Sequence, residues 1–336
     1  MIEIDGTTGG QILRTSIALS AITKKSCHVF NIRRNRPKQG LMLQHLLGIQ
    51  NVAKLCSGYL EGDKFGSKEI KFHPGEITAK DLHIRIETAA SITLLLQSLL
   101  PVSLFAPNPI KIHLHGGGSD VPFSPTFDYF RLVFLKILEK MGSKIEVEIL
   151  KRGYYPSGGG EINVEVFPSK LKPIKLSERG QLQKILIISG ASEFLKKKKV
   201  AERQLSGVRE ILGKLKLPIE ERVEYYQTDC PGSQICLIAE FENTAIGIDN
   251  LGKLGKPAEY VGKEAALEFL KEGERKTCLD KYLADQILPY LALTEKRSKV
   301  TVSEITNHCK TNILVIEKFL NGKFEITNNL ISWIPK

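Results

Sequence analysis

The chain has no CxxC pair, and its six cysteines (Cys27, Cys56, Cys230, Cys236, Cys278 and Cys309) are scattered over 336 residues. That spacing argues against a zinc knuckle and offers no disulfide framework, so all six read as free thiols. No apolar run approaches the roughly 20 residues that would span a bilayer, and no membrane partner is expected. The opening residues, MIEIDGTTGG, lack the basic region and apolar core of a secretory signal. The cytoplasm is therefore the expected compartment. Acidic residues are the scarcer charge, 37 Asp and Glu against 48 Lys and Arg, which leaves a net charge of +11. An excess of that size points to a polyanionic partner, because lysine and arginine gain affinity for phosphate chains through charge pairing and counterion release. Hydrophobic residues make up 42% of the chain, enough over this length for one large core or two ordinary ones.

A strand-turn-helix pattern recurs along the chain. Ile2 to Ile4 read as a strand, Gly6 to Gly10 as a turn, and Gln11 to Ile22 as a helix with Ile12, Leu13, Ile17 and Leu19 apolar. Leu82 to Ile86, Thr88 to Ser91 and Ile92 to Leu100 repeat the pattern, with Pro101 expected to close the helix. A third copy runs from Ile110 to Leu114 through HGGGSDVPFSP into a helix containing Phe130 to Leu138. The fourth is Lys299 to Gly322, KVTVSEITNHCKTNILVIEKFLNG. Such modules cannot bury an apolar face alone and must pack together as sheets covered by helices. The expected fold class is α/β built of repeated strand-helix modules.

Between the third and fourth copies the rhythm breaks. Lys184 to Ser189, Val200 to Leu215, Arg222 to Tyr226 and Ile235 to Phe241 read as strand, helix, strand and strand, enough for a smaller α/β unit. The expected division is a repeat domain of residues 1–179 and 277–336 with an inserted small α/β domain at 180–276. After the insertion, Leu279, Leu283 and Ile287 recur every four residues. Tyr282, Asp285 and Gln286 share the neighbouring face. Core packing accounts for the leucines and leaves Asp285 unexplained.

In the fourth copy, Lys299 to Val302 alternate like a strand. Ile313, Leu314, Ile316, Glu317, Phe319 and Leu320 form a helical stripe preceded by the cap-forming Thr311 and Asn312. His308 then falls in the turn before the helix. Helix starts expose unpaired amides and the positive end of the dipole, so an imidazole there meets any phosphate that settles at that end. A single turn histidine is ordinarily a surface residue and becomes a site only with a second group. The run Lys196 to Lys199 reads as a solvated helix face. Arg33, Arg34, Arg36 and Lys38 crowd into a short segment, IRRNRPKQG, directly before an apolar helix, where they can converge on one phosphate cluster.

Six motifs in order, GGQILR (9–14), IRRNRPKQGL, QSLLP (97–101), GYYPSGGG (153–160), YLADQ (282–286) and HCKTNI (308–313), resemble the RNA 3′-terminal phosphate cyclase family. The likeness spans essentially the whole chain. It implies a fold of repeated strand-helix units with a smaller insertion before the last one. It also implies an ATP-dependent reaction in three steps: a histidine attacks the α-phosphorus of ATP, AMP passes to an RNA 3′-phosphate, and the 2′-hydroxyl displaces AMP to close a 2′,3′-cyclic phosphate. His308 matches the nucleophile, and a neutral imidazole suits that role. The implied partners are ATP, Mg²⁺ or another divalent metal, and RNA bearing a 3′-terminal phosphate.

The resemblance assigns further roles. Arg14, Arg33 and Arg36, with Lys38 more loosely, would neutralise the triphosphate or the RNA phosphate through bidentate guanidinium contacts. Gln97 and Asp285, with Gln286 beside it, resemble the family's contributors around triphosphate and metal. Tyr282 and Pro125 would sandwich adenine, with Asp128 as a hydrogen-bond acceptor. Gly158 to Gly160 either admit a close backbone approach or form a tight turn. Two features depart from the family pattern. The first glycine turn reads DGTTGGQ, without the acidic residue of the family's DGxxGEGGGQ that is associated with the metal. ETAAS replaces a small-residue run and sets Glu87 beside the phosphate pocket, either repelling ATP or serving as a metal ligand. The competing readings are a catalytically inactive cyclase-like RNA-processing or ribosome-assembly factor, which would lack His308, and an enolpyruvyl transferase, which would lack the insertion.

Overall fold

The computed structural model describes all 336 residues. The first module contains Ile2–Asp5 (β1), Gly10–Thr23 (α1), Cys27–Phe30 (β2), Leu43–Leu55 (α2), Tyr59–Glu61 (β3) and Ile70–His73 (β4). The second contains Leu82–Arg85 (β5), Ile92–Ser103 (α3) and Ile110–Gly117 (β6). It continues through Phe127–Tyr129 (α4), a π-helical turn at Phe130–Phe134 and Leu135–Lys140 (α5) to Lys144–Lys151 (β7) and Gly160–Phe167 (β8). Lys175–Leu176 (β9) opens a third module, which is interrupted by Leu182–Ser192 (β10), Val200–Leu212 (α6), Ile219–Tyr226 (β11), Ser233–Phe241 (β12), Ala245–Leu251 (β13) and Ala258–Glu274 (α7). It resumes with Lys281–Ala292 (α8), Ser298–Thr301 (β14), Asn307–Phe319 (α9), Gly322–Thr327 (β15) and Leu330–Pro335 (β16).

The three modules share one topology. Their sheets run β1-β2-β4-β3, β5-β6-β8-β7 and β9-β14-β16-β15. In each, the first two strands pair in parallel and the remaining pairs are antiparallel. A parallel pair needs a crossover, which a helix supplies. The true repeat is thus a β-α-β-α-β-β unit present three times, twice the length of the strand-turn-helix pattern legible in the sequence. That pattern caught the first half of modules one and two and the second half of modules two and three. One further boundary differs. Pro101 does not end its helix; α3 continues to Ser103, because a proline there removes only the bond to the Gln97 carbonyl.

Strand β8 alternates buried and half-exposed residues along its length, the pattern of a sheet with one face on a core. The helices lie on the inner faces, where α1 packs against α2, α3 and α9, and α8 packs against α9. A core of 71 buried residues joins all three modules. The inserted segment has the sheet β11-β10-β12-β13 and a core of 14 residues shared with α6 and α7. Its central strands are apolar on both faces. Ile185, Ile187, Ile235 and Leu237 point to the small core, whereas Leu186, Ile188, Cys236 and Ile238 join the large one. The uninterrupted apolar runs of β10 and β12 follow from this double burial. All six cysteines are buried and free, and no helix is long and apolar enough to cross a membrane.

Candidate active site

Helix α9 begins one turn earlier than the sequence suggests. Thr306 is the cap, its hydroxyl accepting from the Cys309 amide at 3.2 Å. His308 therefore sits on the first turn of the helix and not in the loop before it. The physical reason is Cys309, fully buried, which extends the Asn312, Ile313 and Ile316 stripe backwards by a turn. Thr311 and Asn312 are interior residues, not caps. The Thr311 hydroxyl bonds back to the carbonyls of Asn307 and His308, and Asn312 is buried. The His308 side chain is 59% exposed, with Nδ1 3.5 Å from Asp285 Oδ2.

Asp285 is the meeting point of three helices. Its Oδ2 accepts from Gln11 Nε2 of α1 at 2.6 Å, and its main-chain carbonyl accepts from Asn312 Nδ2 of α9 at 2.9 Å. Asn312 Oδ1 in turn accepts from the Thr15 hydroxyl at 2.7 Å. Gln11 Oε1 is buried without a hydrogen-bond partner. On the other side of α8, Gln97 Nε2 donates to Gln286 Oε1 at 2.7 Å, and Gln286 Nε2 donates to the Tyr282 carbonyl. Gln11, Arg14, Thr15, Gln97, Asp285, Gln286 and Asn312 line one cleft between α1, α3, α8 and α9. Tyr282 is half-exposed at the start of α8, where Asp280 caps the helix by accepting from the amides of Tyr282 and Leu283.

A cationic cluster surrounds the start of α1. Arg14 forms no ion pair and no hydrogen bond. Burial pulls its guanidinium down to about 10, against the attraction of Asp285, so it remains charged at neutral pH. The Arg33 guanidinium is lowered by burial and by Arg36. Burial, with Arg14 and Arg33, pushes His45 down to about 3, so that ring is neutral. A side chain at Gly10 would stand 2.2 Å from His45 Nε2, and a β-carbon at Gly9 would lie 3.4 Å from the Arg36 guanidinium. The arginine segment is stitched to the glycine turn by Arg33 N to Gly6 O and Asn35 N to Thr7 O. Asn31 and Arg33 both take positive φ, a strain that persists only where surroundings enforce it. Lys38 is exposed, and its carbonyl accepts from Arg33 Nε.

The remaining sequence candidates fall into different settings. Pro125 is half-buried, its carbonyl accepting from the Thr93 hydroxyl at 2.8 Å. Asp128 is fully buried and ion-paired to Arg152 at 2.7 Å, so it serves a buried cation. Glu87 is exposed on the turn before α3 and makes no ion pair. No three His, Cys, Asp or Glu side chains cluster closely enough to hold a metal among themselves. Gly158 has φ of 74°, and a β-carbon there would meet Gly116 O at 2.4 Å; the glycine run serves a backbone-to-backbone approach. Sequence reasoning missed Gln11, Thr15, His45 and Asn312. The first two were accessible, since Gln11, Arg14 and Thr15 lie at i, i+3 and i+4 on one helical face.

The family model described as RNA 3′-terminal phosphate cyclase matches residues 5–326. A Pyrococcus abyssi protein of that name is 44% identical over 330 residues, covering 97% of this chain and 95% of the relative. Similar proteins of the same name from Thermococcus kodakarensis and Sulfolobus acidocaldarius are 44% and 43% identical, each over 97% of this chain and over 94% and 97% of the relative. Among solved structures, the enolpyruvyl transferase NikO from Streptomyces tendae is 8% identical with a TM-score of 0.27, covering 100% of this chain and 66% of that one.

Proposed function

We propose, for a chain that belongs to the RNA 3′-terminal phosphate cyclase family, that His308 carries AMP from ATP to an RNA 3′-phosphate, which then closes to a 2′,3′-cyclic phosphate. The observation that carries this reading is the placement of His308 Nδ1 3.5 Å from Asp285 Oδ2, beside a cleft whose one arginine has no protein partner. A carboxylate facing Nδ1 favours the tautomer protonated there and leaves the lone pair on Nε2. Nε2 attacks the α-phosphorus; the N–P bond forms and the bond to the β-phosphate oxygen breaks, releasing pyrophosphate. A phosphate oxygen of the RNA end then attacks the same phosphorus, the N–P bond breaks and the imidazole is restored. Finally the 2′-oxygen attacks the terminal phosphorus and AMP leaves, a step that rests on orientation within one nucleotide.

Arg14, Arg33 and Arg36 supply the positive field for the phosphates. A half-buried cation with no ion pair is costly until an anion arrives, so the cleft favours phosphate over water. Asp285 with the unpartnered Gln11 Oε1 provides hard oxygen donors that suit Mg²⁺, with Glu87 a more distant candidate at the turn before α3. Such a cation, when bound, neutralises charge on the triphosphate. Tyr282 and Pro125 are the proposed adenine contacts, with Gln97 and Gln286 holding the α3–α8 wall. Asp128, committed to Arg152, acts there through the loop it anchors. Residues 1–179 with 277–336 form the proposed catalytic unit, and 180–276 the insertion.

The test is incubation with α-labelled ATP and Mg²⁺ followed by denaturing electrophoresis and acid treatment. Acid-labile label is expected on the protein and absent from His308→Ala, whose fold should survive because the side chain is mostly exposed. Label retained in that variant would move the nucleophile elsewhere. No label with any divalent metal would favour the inactive RNA-factor reading.

A further inference from the structure

Four segments are fastened together, mostly by their backbones. The loop after β6 (residues 118–126) meets the glycine-rich loop 152–159 through Ser119 N and Asp120 N to Gly153 O, and β6 itself joins that loop through Gly159 N to Gly116 O. The loop before β12 meets the same segment through Cys230 Sγ and the Tyr154 carbonyl, and Gly232 packs on the Tyr154 ring. Ser192 N to Gly232 O then ties in the start of the lysine run. Three of these four segments expose a large aromatic ring. Phe123 is fully exposed, and Tyr155 and Phe194 are about two-thirds exposed (67% and 62%).

The backbone that carries Phe123 is constrained. Phe123 sits between Pro122 and Pro125 in a left-handed conformation, φ 66°, which a bulky residue adopts only under constraint. The Ser124 hydroxyl bonds Val121 O, the Thr126 amide bonds Asp249, and the Phe127 amide bonds Asp120. Next to Phe194, Lys197, Lys198 and Lys199 are exposed and form no ion pairs. The acidic neighbours Glu193 and Asp229 are already taken up by Lys196 and Lys151. Exposed aromatics together with unpaired lysines are what a single nucleic-acid strand needs, stacking for its bases and charge for its backbone. The surface also leads to the cleft, since Pro125 O accepts from Thr93, one helical turn before Gln97.

We propose that this rim, carrying Phe123, Tyr155, Phe194 and Lys197 to Lys199, binds the single-stranded RNA upstream of the reacting 3′-end. The inference rests on the cyclase reading and extends it: the insertion supplies part of the RNA path, and bases several nucleotides from the terminus contribute to affinity. The occupant is a nucleic-acid strand because Lys197 to Lys199 carry positive charge without ion pairs and the aromatics lie apart on separate loops, not as one apolar groove.

The experiment compares a 12-nucleotide RNA with a dinucleotide, both ending in a 3′-phosphate, on wild type, Phe123→Ala and the double variant Lys197→Glu/Lys198→Glu. KM for the 12-mer should rise roughly tenfold in each variant, while KM for the dinucleotide and ATP-dependent labelling of the protein stay unchanged. An unchanged KM for the 12-mer, or an equal rise for both substrates, would overturn the proposal. Fluorescence anisotropy of a labelled 12-mer measures the surface without chemistry. A wild type that takes no label from ATP yet binds the 12-mer more tightly than the two variants would sink the cyclase reading and keep the rim.

Discussion

Two arginines, Arg152 buried and Arg14 half-buried, contrast structure with the proposed function. Arg152 is complete. It bonds Asp120 at 3.1 Å and Asp128 at 2.7 Å and lies 4.5 Å over the Tyr226 ring. Burial pulls its guanidinium down, but Asp120 and Asp128 outweigh that, and the net shift is well upward. Arg14 is incomplete: burial dominates, the net shift is downward, and its one attractive neighbour, Asp285, is already bonded to Gln11. The completed pairs lock together loops of the second module, with Tyr226 of the inserted segment stacked over the guanidinium, whereas Arg14 faces the cleft with no ion pair of its own. The family resemblance assigns Asp128 to adenine, and its carboxylate is bound to Arg152.

The contrast can be broken by replacing each arginine with methionine. Arg152→Met leaves two buried carboxylates unpaired and should cost on the order of 3–5 kcal/mol in urea unfolding. Arg14→Met should leave stability equal or slightly higher while slowing labelling from ATP about 100-fold. Equal destabilisation by both changes would erase the distinction.

A second test uses pH. Burial raises the Asp249 carboxyl from 3.8 to about 6. A group raised in the folded state favours folding while protonated, so its contribution is full below about pH 4 and is lost as pH rises through about 6. Wild type should lose on the order of 3 kcal/mol from this group between those limits. Asp249→Asn should flatten that part of the urea-unfolding profile, and an unaltered slope would assign it to other groups.

The smallest expected effect concerns the hydroxyl that holds Asn312. Thr15→Val removes one buried hydrogen bond and should cost about 1 kcal/mol. It should also slow labelling more than it lowers affinity for ATP, because Asn312 fixes the Asp285 backbone beside His308. A variant with weakened ATP binding and unaltered labelling rate would place Thr15 in the nucleotide pocket instead.

Much of the protein is written locally. The helices α1, α3 and α9 were legible because their apolar residues repeat at helical spacing, and the strands β10 and β12 because their apolar runs break the rhythm. His308, Asp285, Gln97 and Gln286 stood out through short motifs whose order along the chain matches the RNA 3′-terminal phosphate cyclase family. What could not be read was partnership. Gln11 meets Asp285 across 274 residues and Thr15 meets Asn312 across 297. Strand β9, two residues long, finds β14 on the far side of the whole insertion. Helical periodicity acts over three or four residues and is visible in any window of sequence. The choice of which carboxylate faces which cation is made only when distant segments pack, because burial turns a weak surface attraction into a decisive one. Sequence therefore determined the strand-helix modules and singled out His308 as the proposed nucleophile; tertiary packing decided that Arg152 would be satisfied and Arg14 left open.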